Sequence, residues 1–280
     1  MIAEKKENST INGYFGTLMT MMKWAARKKY IVRDPFLDVE KLMKDKKDKK
    51  IITQDEFKAL FSEDWKKVWN NDVLLCTANK LAALTGMRVC EVLGLKGEFL
   101  FDDHIYVCAQ HDNKYGYRDT KTKIKHHIPL TGAIVADLKK LKKVNGDGFL
   151  FSLTGGDKPV TVRHIYNGLH RALKNIGISE DEIAERKLNV HAWRHFCNTE
   201  LQKAGLTIQK VQAVTGHKSE RMTEHYTHFD PLEFGDVPKI QAALLRKKPK
   251  KQEGTEKEQP ALTLVKRPED DKAASRKKAS

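Results

Sequence analysis

The sequence predicts a mostly α-helical chain with a small antiparallel β-sheet, an α+β arrangement in which the helices dominate. Three observations carry that reading. Apolar residues recur at helical spacing in separate stretches that begin near residues 11, 74, 133, 161, 190 and 207. Between residues 104 and 130 the pattern changes to short strand-like segments, parted by turn-prone or charged residues. After Leu245 large apolar side chains become scarce, so residues 246–280 read as a disordered basic tail.

Taken in order, the first helix starts at Thr10 and places Ile11, Tyr14, Phe15, Leu18, Met22 and Ala25 on one face. It ends near Lys28-Lys29, and Asp34-Pro35 closes the turn that follows. Phe36, Val39 and Leu42 predict the start of a short second helix. Lys44-Asp45-Lys46-Lys47-Asp48-Lys49-Lys50 has no apolar anchor and reads as a solvated linker, one that would lie along phosphates if DNA is the partner. Thr53-Gln54-Asp55-Glu56 is a capping box that opens the next domain. A helix through Leu74, Leu75, Ala78, Leu81 and Leu84 stops at Gly86. Strands are expected over 104–109, 115–120 and 126–130, and helical patterns return from about Ala133, Thr161, Val190 and Thr207. A last short helix spans 237–245, with Pro238 in its first turn. The resulting division is a helical segment 1–43, a basic linker 44–51, a main domain 52–245 and the tail 246–280.

Composition narrows the function. A chain of 280 residues can bury a sizeable core, and no run approaches the roughly 18 apolar residues of a membrane span. The N-terminus lacks the apolar stretch of a signal peptide. Cys76, Cys90, Cys108 and Cys197 are scattered with no CxxC pair, which indicates neither a zinc site nor a disulfide framework and makes a reducing cytoplasm the simplest compartment. The formal net charge is +15 and the pI about 9.5. Polyanions are the natural partners of such a surface, through phosphate contacts and counterion release; a protein with merely basic tails is the plainer alternative.

The chemistry concentrates in residues 191–226. His191 and Arg194, three apart, share one helix face. His217 follows the Gly216 turn, and Tyr226 comes nine positions later. Phosphate ligands and proton carriers thus stand beside an oxygen nucleophile. Far upstream, Arg88 and Glu91 lie in apolar surroundings just after Gly86, where a charge is costly unless it is paired or serves a ligand. Arg88 also falls at a helix start, where anions are favoured. A buried structural Arg–Glu pair is the competing reading there, and a packed aromatic is the competing reading of Tyr226. Trp193 is expected in the core, with His195, His225 and His228 as packing or supporting residues and His111 and His164 on the surface.

Together, Gly86-Met87-Arg88 with Glu91, His191-x-x-Arg194, Gly216-His217 and Tyr226 resemble the active-site boxes of the tyrosine recombinases, the phage integrase family, in order and spacing over roughly residues 10–245. Each box alone is weak; the ordered set is specific. The resemblance implies the fold of that family's catalytic domain, preceded by a truncated helical core-binding domain. About two helices precede the linker where the family usually has about four, although Ile31-x-x-Asp34-Pro35-Phe36 fits its turn. The family also uses a lysine in a hairpin of the small sheet. Lys121, eight residues before Pro129, best matches that position; Lys123 and Lys125 are nearby, and charges guarding a strand edge fit those two better.

What the resemblance implies is site-specific cutting and rejoining of double-stranded DNA through a 3′-phosphotyrosyl link on Tyr226, with no cofactor, metal or ATP. Tyrosine has a reference pKa of about 10, so its attack needs help in removing the proton. Two guanidiniums, Arg88 and Arg194, suit the charge that develops on the nonbridging oxygens, with a paired geometry lysine cannot supply. His217 would donate a further hydrogen bond, His191 would accept the tyrosine proton or orient the phosphate, Lys121 would protonate the leaving 5′-oxygen, and Glu91 would hold Arg88 or a neighbouring histidine. The expected assembly is a homo-tetramer on DNA through exchange of the C-terminal helix, with room for an accessory DNA-bending protein, in the cytoplasm at the nucleoid. A type IB topoisomerase-like relaxing enzyme and a noncatalytic DNA-binding protein are the alternatives.

Overall fold

The computed structural model describes residues 6–43, 52–121, 123–216 and 235–245, all within a unit that covers residues 1–245. The expected linker 44–51 and tail 246–280 lie outside the described residues, as do His217, His225, Tyr226 and His228.

Helix α1 (Asn8–Arg27) ends in a left-handed turn at Lys29. The second helix expected from Phe36, Val39 and Leu42 does not form. Asp34 Oδ1 instead accepts from the Phe36 backbone N–H at 2.9 Å, an Asx turn that turns the chain back. The returning strap is pinned by Asn12, whose side chain donates to the Leu42 carbonyl (2.7 Å) and accepts from its N–H (2.9 Å), while Phe36 meets Phe15 edge-on.

The main body opens at α2 (Gln54–Leu60), started by the expected reciprocal capping box: Thr53 Oγ1 accepts from Glu56 N–H, and the Glu56 carboxylate accepts from Thr53 N–H. After the short α3 (Trp65–Val68), α4 (Val73–Thr85) is capped by Asp72 and stops at Gly86, as its pattern predicts. Helix α4 is apolar nearly all round because it runs through the middle of the domain, packed against α6 (Gly132–Asn145), α7 (Val162–Asn175) and α9 (Ala192–Lys203). Trp193 of α9 is fully buried among Phe57, Phe61 and Phe196, and its indole N–H donates to Asn79 Oδ1 at 3.0 Å. The short helices α5 (Val89–Leu93) and α8 (Glu180–Glu185), then α10 (Ile208–Thr215) and α11 (Asp236–Leu245), complete the set. No helix among the described residues is long and apolar enough to cross a membrane.

The sheet departs in detail from expectation: four short strands form where three were expected. β1 (His104–Val107) pairs antiparallel with β4 (His126–Pro129), and β2 (Ala109–Asp112) with β3 (Gly116–Asp119). The two ladders are separate two-stranded sheets that follow one another along the same ribbon of chain. One side breaks only at Cys108. The other leaves the ribbon after Asp119 and re-enters at His126. Lys121 therefore sits not in a paired hairpin but in an excursion between two ladders.

Candidate active site

The site begins where α4 ends. Gly86 has φ +66°, the left-handed conformation that glycine adopts without steric cost, and a Cβ added there would lie 2.8 Å from Thr215 Cγ2. The tight fit draws the ends of α4 and α10 together, with Cys197 of α9 against them. The Gly86 carbonyl accepts from Arg194 Nη1 at 2.8 Å. One turn of backbone thus fixes an arginine that lies more than a hundred residues away in the chain.

Arg88 caps α5. Its backbone N–H donates to Glu91 Oε2 (2.8 Å) and its Nη1 donates to Glu91 Oε1 (2.6 Å). Glu91 is 3% exposed, whereas the Arg88 side chain keeps 24%. The Arg–Glu pair of the competing reading therefore forms, and it leaves part of the Arg88 guanidinium exposed in the cleft wall. Arg194 is 2% exposed. Burial, and after it the Arg88 charge, push its guanidinium down to about 10, so it remains a cation at neutral pH. The Arg88 and Arg194 guanidiniums repel one another, and the Glu91 carboxylate offsets part of that repulsion. An arriving anion relieves that repulsion.

A cleft of about 810 Å³ opens over this pair. Arg88, Lys121, Lys123 and His191 line it, with Gln110, Asp112, Arg118 and Tyr166. His191 is the exposed N-cap residue of α9, its backbone N–H held by Asn189 Oδ1 at 2.8 Å and its ring edge-on to His195 at 5.2 Å. Arg194 does not line the cleft; it is buried within electrostatic reach of Arg88 and Glu91. So the structure brings Arg88, Glu91, His191, Arg194 and Lys121 to one place, with Lys123 beside Lys121 and Lys125 absent from the cleft wall. Gly216, the residue before His217, caps α10 at φ +65°.

Several residues at the site carry little sign of their place there in the sequence. Asp112 and Arg118 form an ion pair at 2.6 Å across the β2–β3 turn, where Asp112 also accepts from the Lys114 and Tyr115 N–H groups; the run from Asp112 to Gly116 carries that turn signature. Cys90 lies in the cleft wall with its thiol pushed up by burial and by the Asp112 and Glu91 charges, which keeps it protonated. His111 is not a plain surface group: it is half-buried against Phe149, and burial lowers its pKa. His164 is likewise half-buried.

Comparison with known proteins follows the same outline. The model of the "Phage integrase family" matches residues 50–233. Tyrosine recombinase XerD of Staphylococcus aureus is 26% identical over 238 residues, spanning 81% of this chain and 74% of the relative. In fold, the chain is similar to the Tn1549 transposon integrase solved with transposon right-end DNA (TM-score 0.63, 23% identity, 82% of this chain and 78% of that one). It is also similar to a lambda integrase dimer bound to a COC′ core site (TM-score 0.57, 20% identity, 82% and 78%). The family match covers most of the chain and runs through the segments that build the cleft, and the chain belongs to the phage integrase family of tyrosine recombinases.

Proposed function

We propose that the protein cuts and rejoins double-stranded DNA at specific sites through a 3′-phosphotyrosyl link to Tyr226, with neither metal nor ATP in the step. The observation that carries this reading is the clustered pair Arg88 and Arg194, fixed by Glu91 and by the Gly86 carbonyl beneath a cleft lined with cations. Such a preorganised pair stabilises negative charge as it develops on the nonbridging oxygens, at no reorganisation cost during the reaction.

In the proposed step the Tyr226 oxygen attacks the scissile phosphorus and passes its proton to His191 or, through it, to water. The bond from phosphorus to the 5′-oxygen breaks, and Lys121 supplies the proton that the departing oxygen takes. His217 donates to the phosphate. The phosphotyrosyl link conserves the energy of the broken bond, so an incoming 5′-hydroxyl reverses the step and reseals the strand. Residues 1–43 and 52–245 would grip opposite sides of the duplex, joined by the basic segment 44–51, with the tail 246–280 adding unspecific affinity. Four copies would assemble on two duplexes by exchanging α11, in the cytoplasm at the nucleoid, with a DNA-bending protein as accessory.

A nicked suicide duplex carrying the crossover site tests this reading. The expected result is a covalent protein–DNA adduct that survives denaturation. Relaxation of supercoiled plasmid regardless of sequence would replace recombination by a topoisomerase activity. Saturable binding with no adduct would leave a noncatalytic DNA-binding protein.

A further inference from the structure

His126 opens β4 and pairs in register with Val107, which is buried, so both side chains face the interior. Its neighbour His127 takes the other face, where it stacks on Tyr106 and meets His104 edge-on. The His126 ring rests against the turn that ends α10: a Cβ added at Gly216 would lie 3.0 Å from its Cε1 and 3.5 Å from its Nε2. Its electrostatic neighbours are Glu91 of α5 and Arg194 of α9, together with His127. One ring therefore stands between the residues that fix Arg88 and the turn from which the chain continues toward His217.

Both ring nitrogens of His126 are closed to solvent, and neither makes a well-formed hydrogen bond among the described residues. The Val214 backbone interacts with the ring and can meet no more than one of its two nitrogens. A buried donor and acceptor left unmet cost free energy that a leucine or phenylalanine filling the same space would not incur. Packing alone does not account for a histidine here.

We infer that His126 is a positioning residue of the strand-transfer site, its ring setting the distance between the Gly216 turn and the buried Glu91 and Arg194 side chains, and its nitrogens supplying a polar contact taken up when a phosphate occupies the cleft. The inference rests on the proposed DNA-cleaving reaction. Its effect belongs on the rate of cleavage in the bound complex and not on the affinity for DNA, because its ring nitrogens are closed to solvent and it does not line the cleft.

The test is single-turnover cleavage of the suicide duplex by the full chain at saturating DNA, for wild type, His126→Phe, His126→Leu and His126→Gln. Two apolar variants are used so that one accommodated by the fold gives the comparison. The expected result is a DNA dissociation constant within about twofold of wild type, cleavage slowed on the order of 100-fold in the apolar variants, and recovery of most of that rate in His126→Gln, which restores polar atoms. Wild-type cleavage in either apolar variant would overturn the inference, as would a glutamine variant as slow as they are. Absence of any adduct with wild type, seen before a His126 variant is made, would remove the reaction itself.

Discussion

Arg88 shows how a single residue can satisfy two readings. Its bond to a nearly buried carboxylate looks structural, yet in the proposed reaction the same pairing would aim the guanidinium. Replacing Glu91 by Gln keeps the shape and removes the charge that offsets Arg88 and Arg194. Glu91→Gln should lower stability by about 1–3 kcal/mol and slow adduct formation by more than ten times that seen with a surface Glu→Gln control, while thermal melts show an intact fold. Melting and cleavage both unchanged would mean that Glu91 does not govern the guanidinium. At this scale the sequence was informative where charge stood in apolar surroundings, as at Arg88 and Glu91, or at the paired spacing of His191 and Arg194. It was silent on His126 and Gln241. A lone polar residue in a strand or helix pattern carries no sign of its partners, which come from segments far away in the chain.

At the level of elements, the site depends on how helices end. Gly86 illustrates this most directly. Gly86→Ala sets a Cβ against Thr215 and forces a left-handed residue to carry it, so the variant should be destabilised by roughly 1–3 kcal/mol, and chemical denaturation reads this directly. Because the Gly86 carbonyl holds Arg194, cleavage should fall further than stability alone explains. Helix α11 is secured by another such contact. Gln241 is fully buried; it accepts from the Thr131 N–H at 3.0 Å and donates to the Leu84 and Pro129 carbonyls, each at 3.2 Å. Here α11 packs on its own domain, whereas the proposed assembly requires it to pass to a neighbour. Gln241→Ala should loosen that docking, seen as faster tryptic cleavage near α11; an unchanged digestion pattern would show that Gln241 is not the latch.

The elements were legible in proportion to their length. Helices α4, α6, α7, α9 and α10 were foreseen from apolar periodicity, and α2 from its capping box. The helix expected at Phe36, Val39 and Leu42 failed because Asp34 and Asn12 supply backbone partners that compete with helical ones. Three expected strands became four because the break at Cys108 lies opposite the excursion that carries Lys121, a tertiary event with no local signature.

For the whole molecule, charge is the governing quantity. A formal net charge of +15 predicts DNA binding dominated by phosphate contacts. If six to ten such contacts form, affinity should fall by about 10³–10⁵ between 50 and 200 mM salt; fluorescence anisotropy over that range measures it, and a flat response would argue against a nucleic-acid substrate. The N-terminal segment bears on the same point. Tyr14, Met21 and Trp24 of α1 are exposed on a helix that has no acidic residue and ends in Arg27, a surface able to meet a duplex. How much α1 and the rest of the chain contribute together is a property of the complex, which no single residue pattern encodes.

The central claim is that Tyr226 becomes covalently joined to a 3′-phosphate. Trypsin digestion of the protein–DNA adduct, followed by mass spectrometry of the nucleotide-bearing peptide, measures this directly. The predicted result is a 3′-phosphonucleotide on Tyr226 and no adduct from Tyr226→Phe. Attachment to another residue, or an adduct that persists in Tyr226→Phe, would contradict the account.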